Sequence, residues 1–163
     1  MRKKTSTRSA TAPKEVTTPG TICVKRILVP LDFSKTAMNG LHYALPFAQQ
    51  FGASLHLVHI YEAPTFMAGY QALPIVIPDD QVIQKARIQL DLLAKSATEW
   101  QVPVECFVRK GKAYQEIVEF AREQKIDLII ISTHGYTGLK HTLLGSTAER
   151  VVRHASCPVL VVR

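Results

Sequence analysis

Lys25-Arg-Ile-Leu-Val-Pro-Leu31, then Asp32-Phe-Ser34, then Ala37, Leu41, Ala44, Leu45 and Ala48 at three- and four-residue spacing: this stretch decides the fold class. A short continuous apolar run reads as a buried strand, and the spacing after it as one face of a helix. Ser34 stands where a side-chain oxygen caps the first helical amides. Pro46 falls inside the helical pattern and predicts a kink. Gly52 closes the helix at a left-handed position.

The alternation continues outward. Residues 54 to 61 read as a second strand. Residues 63 to 78 form a Pro- and Gly-punctuated loop carrying Phe66, Met67, Tyr70, Leu73, Ile75 and Val76, which is expected to act as a mobile lid or partner surface. Asp79 or Asp80 then caps a long helix with Val82, Ile83, Ala86, Leu90, Leu93, Ala94 and Ala97 in one stripe. A third strand is expected over 102–109, a helix over 112–124, a fourth strand over 127–133, a short helix over 146–154 and a last strand over 159–163. Strands alternating with helices imply a parallel sheet covered on both faces. Right-handed crossovers leave few topologies. The expected fold is α/β: a single doubly wound five-stranded parallel sheet, Rossmann-like.

The formal charge of +7 is unevenly placed. In residues 1–26, Arg2, Lys3, Lys4, Arg8, Lys14, Lys25 and Arg26 face only Glu15, which puts +6 there and +1 on the rest. Residues 1–24 therefore read as a basic disordered tail rich in Ser, Thr, Pro and Lys, and residues 25–163 as the folded domain. The tail lacks the apolar core of a secretory signal, and an organelle transit peptide ranks below a plain solvated arm. Nucleic acid is not expected as a partner, apart from what the tail attracts. No apolar run approaches the ~20 residues of a membrane helix. Cys23, Cys106 and Cys157 form no CxxC pair, so neither a zinc site nor a disulfide framework is indicated. Reduced thiols suit the cytoplasm.

In open α/β sheets, ligands lie beyond the carboxyl ends of the strands, where the strand order reverses. Pro30-Leu31-Asp32 ends strand one. Ile131 and Ser132 end strand four, and Thr-His-Gly135-Tyr-Thr-Gly138-Leu-Lys-His-Thr-Leu-Leu-Gly145-Ser146-Thr147 follows. Gly135, Gly138 and Gly145 permit positive φ and close backbone approach. Ser146 and Thr147 open a helix whose free amides and dipole favour an anion, so the backbone of residues 132–147 is expected to hold phosphates. Neither a Walker A sequence nor GxGxxG occurs.

These residues resemble the universal stress protein family. Its nucleotide motif G-x-x-G-x9-G-[ST] has its spacing reproduced from Ser132 through Gly135 to Gly145-Ser146, with Ser132 in place of the first glycine. The segment 25–34 and the ending Gly145-Ser-Thr-Ala-Glu-Arg-Val-Val-Arg-His-Ala-Ser-Cys-Pro-Val-Leu-Val-Val-Arg163 extend the likeness over residues 25 to 163. The resemblance implies the strand order 3-2-1-4-5, with Pro30 and Asp32 flanking base and ribose and Ile60 packing on adenine. The implied ligand is ATP or AMP, with Mg²⁺ or Mn²⁺ as counter-charge to a triphosphate.

Asp32 has two readings, ligand contact or helix cap, and Ser34 is the better-placed cap. His134 reads equally as a phosphate donor or base and as a structural loop histidine. His56 and His59 are an odd number apart on a strand and point to opposite faces, which rules out a shared metal site. Cys157 reads as a small apolar core residue. No catalytic constellation appears, and no G-x-S-x-G elbow. Phosphoryl transfer needs positioned charge beyond a phosphate cradle, so slow ATP hydrolysis is the most to expect. Three functions remain: a regulatory module binding an adenine nucleotide, a dimeric stress protein of the branch that binds none, and a nucleotidase or kinase-like enzyme. The intact G-x9-G-S half favours the first. In the strand order that the resemblance implies, the uncharged run 158–162 lies at the sheet edge and is expected to pair two copies as a homodimer.

Overall fold

A computed structural model describes residues 22–62, 79–133 and 145–163. The elements run β1 (Arg26–Pro30), α1 (Lys35–Phe51), β2 (Ser54–Tyr61), α2 (Asp79–Ser96), a 3-10 turn (Ala97–Trp100), β3 (Val104–Lys110), α3 (Ala113–Glu123), β4 (Leu128–Ser132), α4 (Ser146–His154) and β5 (Val159–Val162). The five strands form one sheet in the order β3-β2-β1-β4-β5, with every pairing parallel. This is the expected doubly wound α/β fold. The lid expected in residues 63–78 lies outside the described residues.

Strand pleat divides the core in two. Ile27, Val29, Leu55, Leu57 and Ile130 point to one face, where α1 supplies Leu41, Ala44 and Ala48 and α2 supplies Leu90. Leu28, Val58, Ile129 and Ile131 point to the other, against Ile117, Phe120 and Ala121 of α3 and Val151 of α4. Burial on both faces is why these strands read as unbroken apolar runs rather than as alternation. Val24, at the end of the expected tail, is only 8% exposed and packs into the first core, while Ile22 and Cys23 are exposed.

Local chemistry sets the boundaries. Ser34 Oγ accepts from the amide of Ala37 at 3.1 Å, as a cap should. Helix α1 runs through Pro46 and ends at Gly52, whose φ of 63° lets its amide bond the last turn. On α2 the buried or half-buried positions are those of the expected stripe, but the last turn tightens at Ala97 and stops at Gln101 in the left-handed region (φ 54°). Strand β3 then starts at Val104 rather than at residue 102, since Pro103 has no amide for the ladder and offers only its carbonyl, to Leu55.

The edge strand β3 is fastened to α3 through Arg109. Its guanidinium donates to Glu116 at 3.0 Å and Glu123 at 2.9 Å and lies 5.8 Å over the Phe120 ring. Glu123, then Glu116, hold it more firmly protonated than an ordinary arginine. Beside it, Lys110 pairs with Asp79 at the start of α2. His56 and His59 point to opposite faces, as expected from their spacing: His56 stacks on Phe107 and meets Phe120, whereas His59 stacks on Phe33. Cys106 and Cys157 are half-buried, and burial pushes both thiols up. Among the described residues no helix is long and apolar enough to cross a membrane.

Candidate functional site

Strand β1 lies between β2 and β4, so the chain leaves β1 and β4 on opposite sides of the sheet and a crevice opens beyond their carboxyl ends. A cavity of about 250 Å³ occupies it. Pro30, Leu31 and Asp32 line one side, Ile60 closes the β2 side, and Ile131, Ser132, Gly145, Ser146 and Thr147 line the other. Nine residues expected at the site thus share one cavity. The remaining three, His134, Gly135 and Gly138, lie outside the described residues.

The β1 wall is rigid for identifiable reasons. The Leu31 amide donates to the Val58 carbonyl at 2.9 Å, and the Leu31 carbonyl lies 2.8 Å from His59 Nδ1. Phe33 adopts φ 62°, a costly conformation for a side chain branching at an aromatic ring. Its ring stacks on His59 with centroids 4.4 Å apart, which compensates that cost. Asp32 Oδ1 accepts from the Ser34 amide at 3.0 Å, leaving the capping of α1 to Ser34. The carboxylate is therefore oriented by its own turn while it lines the cavity.

The opposite wall is the start of α4. Gly145 donates to the Thr133 carbonyl at 2.6 Å, and Thr133 donates to the Val162 carbonyl at 2.8 Å, which ties the helix start to β4 and β5. Gly145 has φ −66°, so the expected left-handed freedom is not used at this position. What a glycine offers here is the absence of a side chain where the backbone meets the cavity. Among the described residues no side chain caps α4, and Ser146 and Thr147 at its start line the cavity.

Five further residues line the cavity: Ala37 of α1, Ala113 and Ile117 of α3, Thr133, and Ala148 of α4. The α3 residues follow β3, an edge strand away from the reversal of strand order, so the rule that found the others does not point to them. The crossover that carries α3 over the crevice is not written in local periodicity. Gly111, at φ 150°, makes the sharp exit from β3 that delivers Ala113 there.

The lining is apolar at Leu31, Ile60, Ile117 and Ile131, and polar at one end through Ser132, Thr133, Ser146 and Thr147. Asp32 is the one titratable side chain among the described lining residues. Among the described residues no group of three His, Cys, Asp or Glu could hold a metal. Such a site suits recognition of a ligand with a flat apolar part and an anionic part.

The fold and cavity define a class: doubly wound α/β domains that keep their ligand crevice at the switch point. The comparisons narrow it. The model of the universal stress protein family matches residues 24–163. The chain belongs to the universal stress protein family. It is 34% identical over 139 residues to universal stress protein MJ0531 of Methanocaldococcus jannaschii, covering 85% of this chain and 82% of that one. The solved structure of protein MJ0577 from the same organism superposes with a TM-score of 0.73 at 26% identity, covering 86% of this chain and 96% of the other. A universal stress protein solved in complex with cAMP shares the fold, with a TM-score of 0.62 at 23% identity over 86% of this chain and 98% of its own.

Proposed function

We propose that this chain is a regulatory module that binds an adenine nucleotide, ATP or AMP, in the switch-point crevice. The observation that carries the reading is the cavity itself: a helix start with Ser146 and Thr147 at one end, an oriented carboxylate at Asp32, and apolar Ile60, Ile117 and Ile131 between. Amides and hydroxyls at a helix start suit phosphate. A carboxylate suits ribose hydroxyls. Aliphatic walls suit the face of a base. A family member that binds cAMP supports the same ligand class. In this reading Pro30 and Leu31 border the base and ribose, and His134, Gly135 and Gly138 complete the phosphate end.

The role is binding, with slow ATP hydrolysis at most, since phosphoryl transfer needs positioned charge beyond a phosphate cradle. A triphosphate would bring Mg²⁺ or Mn²⁺ as its counter-charge. Two copies pair through β5, the edge strand, in a cytoplasmic homodimer. Mass spectrometry of the purified protein under native conditions, followed by denaturation, tests the central claim. A bound mass that releases AMP or ATP supports it. An apo spectrum, with no heat of binding for adenosine, AMP or ATP in calorimetry, refutes it and favours the branch of the family that binds no nucleotide.

A further inference from the structure

A second cavity of about 290 Å³ adjoins the first, sharing Ala113, Ser146 and Thr147 as a common wall. Its character is different. Beyond the shared wall it is formed by Glu62, Lys112, Tyr114 and Arg150, so it holds two cations and one carboxylate. Among the described residues those three charges form no ion pair. Glu62 instead accepts from the amide of Ala113 at 3.1 Å, at the start of α3. Arg150 lies over the Tyr114 ring, 4.9 Å from its centroid, a cation–π contact that helps to place the guanidinium. Exposed Lys112 and Arg150 share this recess with Glu62, and their net positive charge, next to an anion-suited wall, complements negative charge.

We propose that this annexe is a second anion subsite that takes the outer phosphates of a nucleoside polyphosphate whose base and ribose lie in the main cavity. The inference rests on the nucleotide-binding reading above and deepens it. The shared Ser146–Thr147 wall receives the first phosphate, and the chain continues toward Lys112 and Arg150. Glu62 opposes the incoming charge, so it sets how strongly the annexe prefers an added phosphate. The site thereby discriminates between ligands that agree in base and ribose and differ in phosphate number.

Calorimetry on the full chain with adenosine, AMP and Mg-ATP tests this. Each cation at a partly exposed site contributes up to about five-fold in affinity. Lys112→Ala with Arg150→Ala is expected to weaken Mg-ATP about twenty-fold and AMP less than about two-fold. Glu62→Gln keeps an acceptor for the Ala113 amide and removes the charge; it is expected to tighten Mg-ATP about three- to five-fold and leave AMP unchanged. If adenosine or AMP binds but the ratio of ATP to AMP affinity is the same in all variants, the annexe is not a phosphate subsite and the nucleotide reading stands. If none of the three ligands binds the wild type, both readings fall. Unchanged circular dichroism keeps a folding defect from imitating the expected loss.

Discussion

Replacing His56 by Phe should stabilise this protein, and the gain should grow as the pH falls. His56 is 3% exposed, and its Nδ1 has no hydrogen-bond partner among the described residues. Its ring lies parallel to Phe107 at 5.6 Å and meets Phe120 at 6.4 Å, and Nε2 has only a long contact of 3.4 Å with Ser54 Oγ. A buried polar atom without a partner costs about 1–3 kcal/mol. An aromatic ring in the same stack removes that cost, offset by about 1 kcal/mol for fitting a slightly larger ring. The net at pH 7.5 is expected to be about 1 kcal/mol in favour of Phe. Burial lowers the His56 pKa below its usual 6.5; Glu105 pulls it back up and Arg26 adds to the depression. The unfolded chain therefore takes up a proton near pH 6.5 that the fold refuses until lower pH. Stability tied to this group is complete above 6.5 and drains as the pH drops toward the folded pKa, by at most about 1.4 kcal/mol per pH unit. The Phe variant has no such loss. Urea unfolding of both proteins at pH 7.5, 6.5 and 5.5 reads the difference directly. A variant less stable than wild type at every pH, or a difference that does not change from 7.5 to 5.5, would refute the account of His56 as a neutral, underpaired core residue.

Gly145→Val should abolish adenine-nucleotide binding while the protein stays folded, because the side chain enters the cavity rather than the core; micromolar affinity with an unchanged circular dichroism spectrum would contradict the site. Gly111→Ala should destabilise by about 1–3 kcal/mol in thermal or chemical unfolding: its φ is 150°, and an added Cβ would lie 2.6 Å from Glu116 Oε1, displacing a carboxylate from Arg109. A neutral outcome would show that the β3 exit tolerates a side chain. Leu160→Pro or Val161→Asp should convert a dimer to a monomer in sedimentation, since both alter the open edge of β5. A wild type already monomeric, or variants that remain dimers, would place the interface elsewhere. Calorimetry with ATP should show tighter binding with Mg²⁺ or Mn²⁺ than with a chelator, and equal affinity would mean that the protein alone neutralises the phosphates.

Much of this fold is legible because its signals are local. A strand buried on both faces, such as 128–131, contains no alternation to misread, and Ser34 and Gly52 mark the ends of α1 by their own chemistry. The same holds for the β1 and β4 sides of the crevice, where the rule about carboxyl ends points at Asp32 and Ser146 without knowledge of the partners. What escaped is non-local. Nothing near Phe33 signals that it would enter the left-handed region; the contact that offsets its cost comes from His59, across the β1–β2 pairing. Nothing in the spacing of His59 signals that the Leu31 carbonyl lies 2.8 Å from its Nδ1. Ala113 and Ile117 reach the cavity only through the crossover from β3. At Gly145 the backbone angle is one that any residue adopts, so the left-handed freedom read from its type is not used.

The burial of Val24 at the amino end of β1 bears on how this domain could be handled or linked to anything else. The crevice lies beyond the other end of the same strand, whose five residues span about 17 Å. Ile22, just before Val24, is 77% exposed. An affinity handle, a fluorophore on the exposed Cys23 or a tether to a surface would therefore attach at the pole opposite the crevice. Immobilised that way, the domain would present its crevice outward, and the load on the amino end would be borne by Val24 and the first core rather than by the residues that line the crevice.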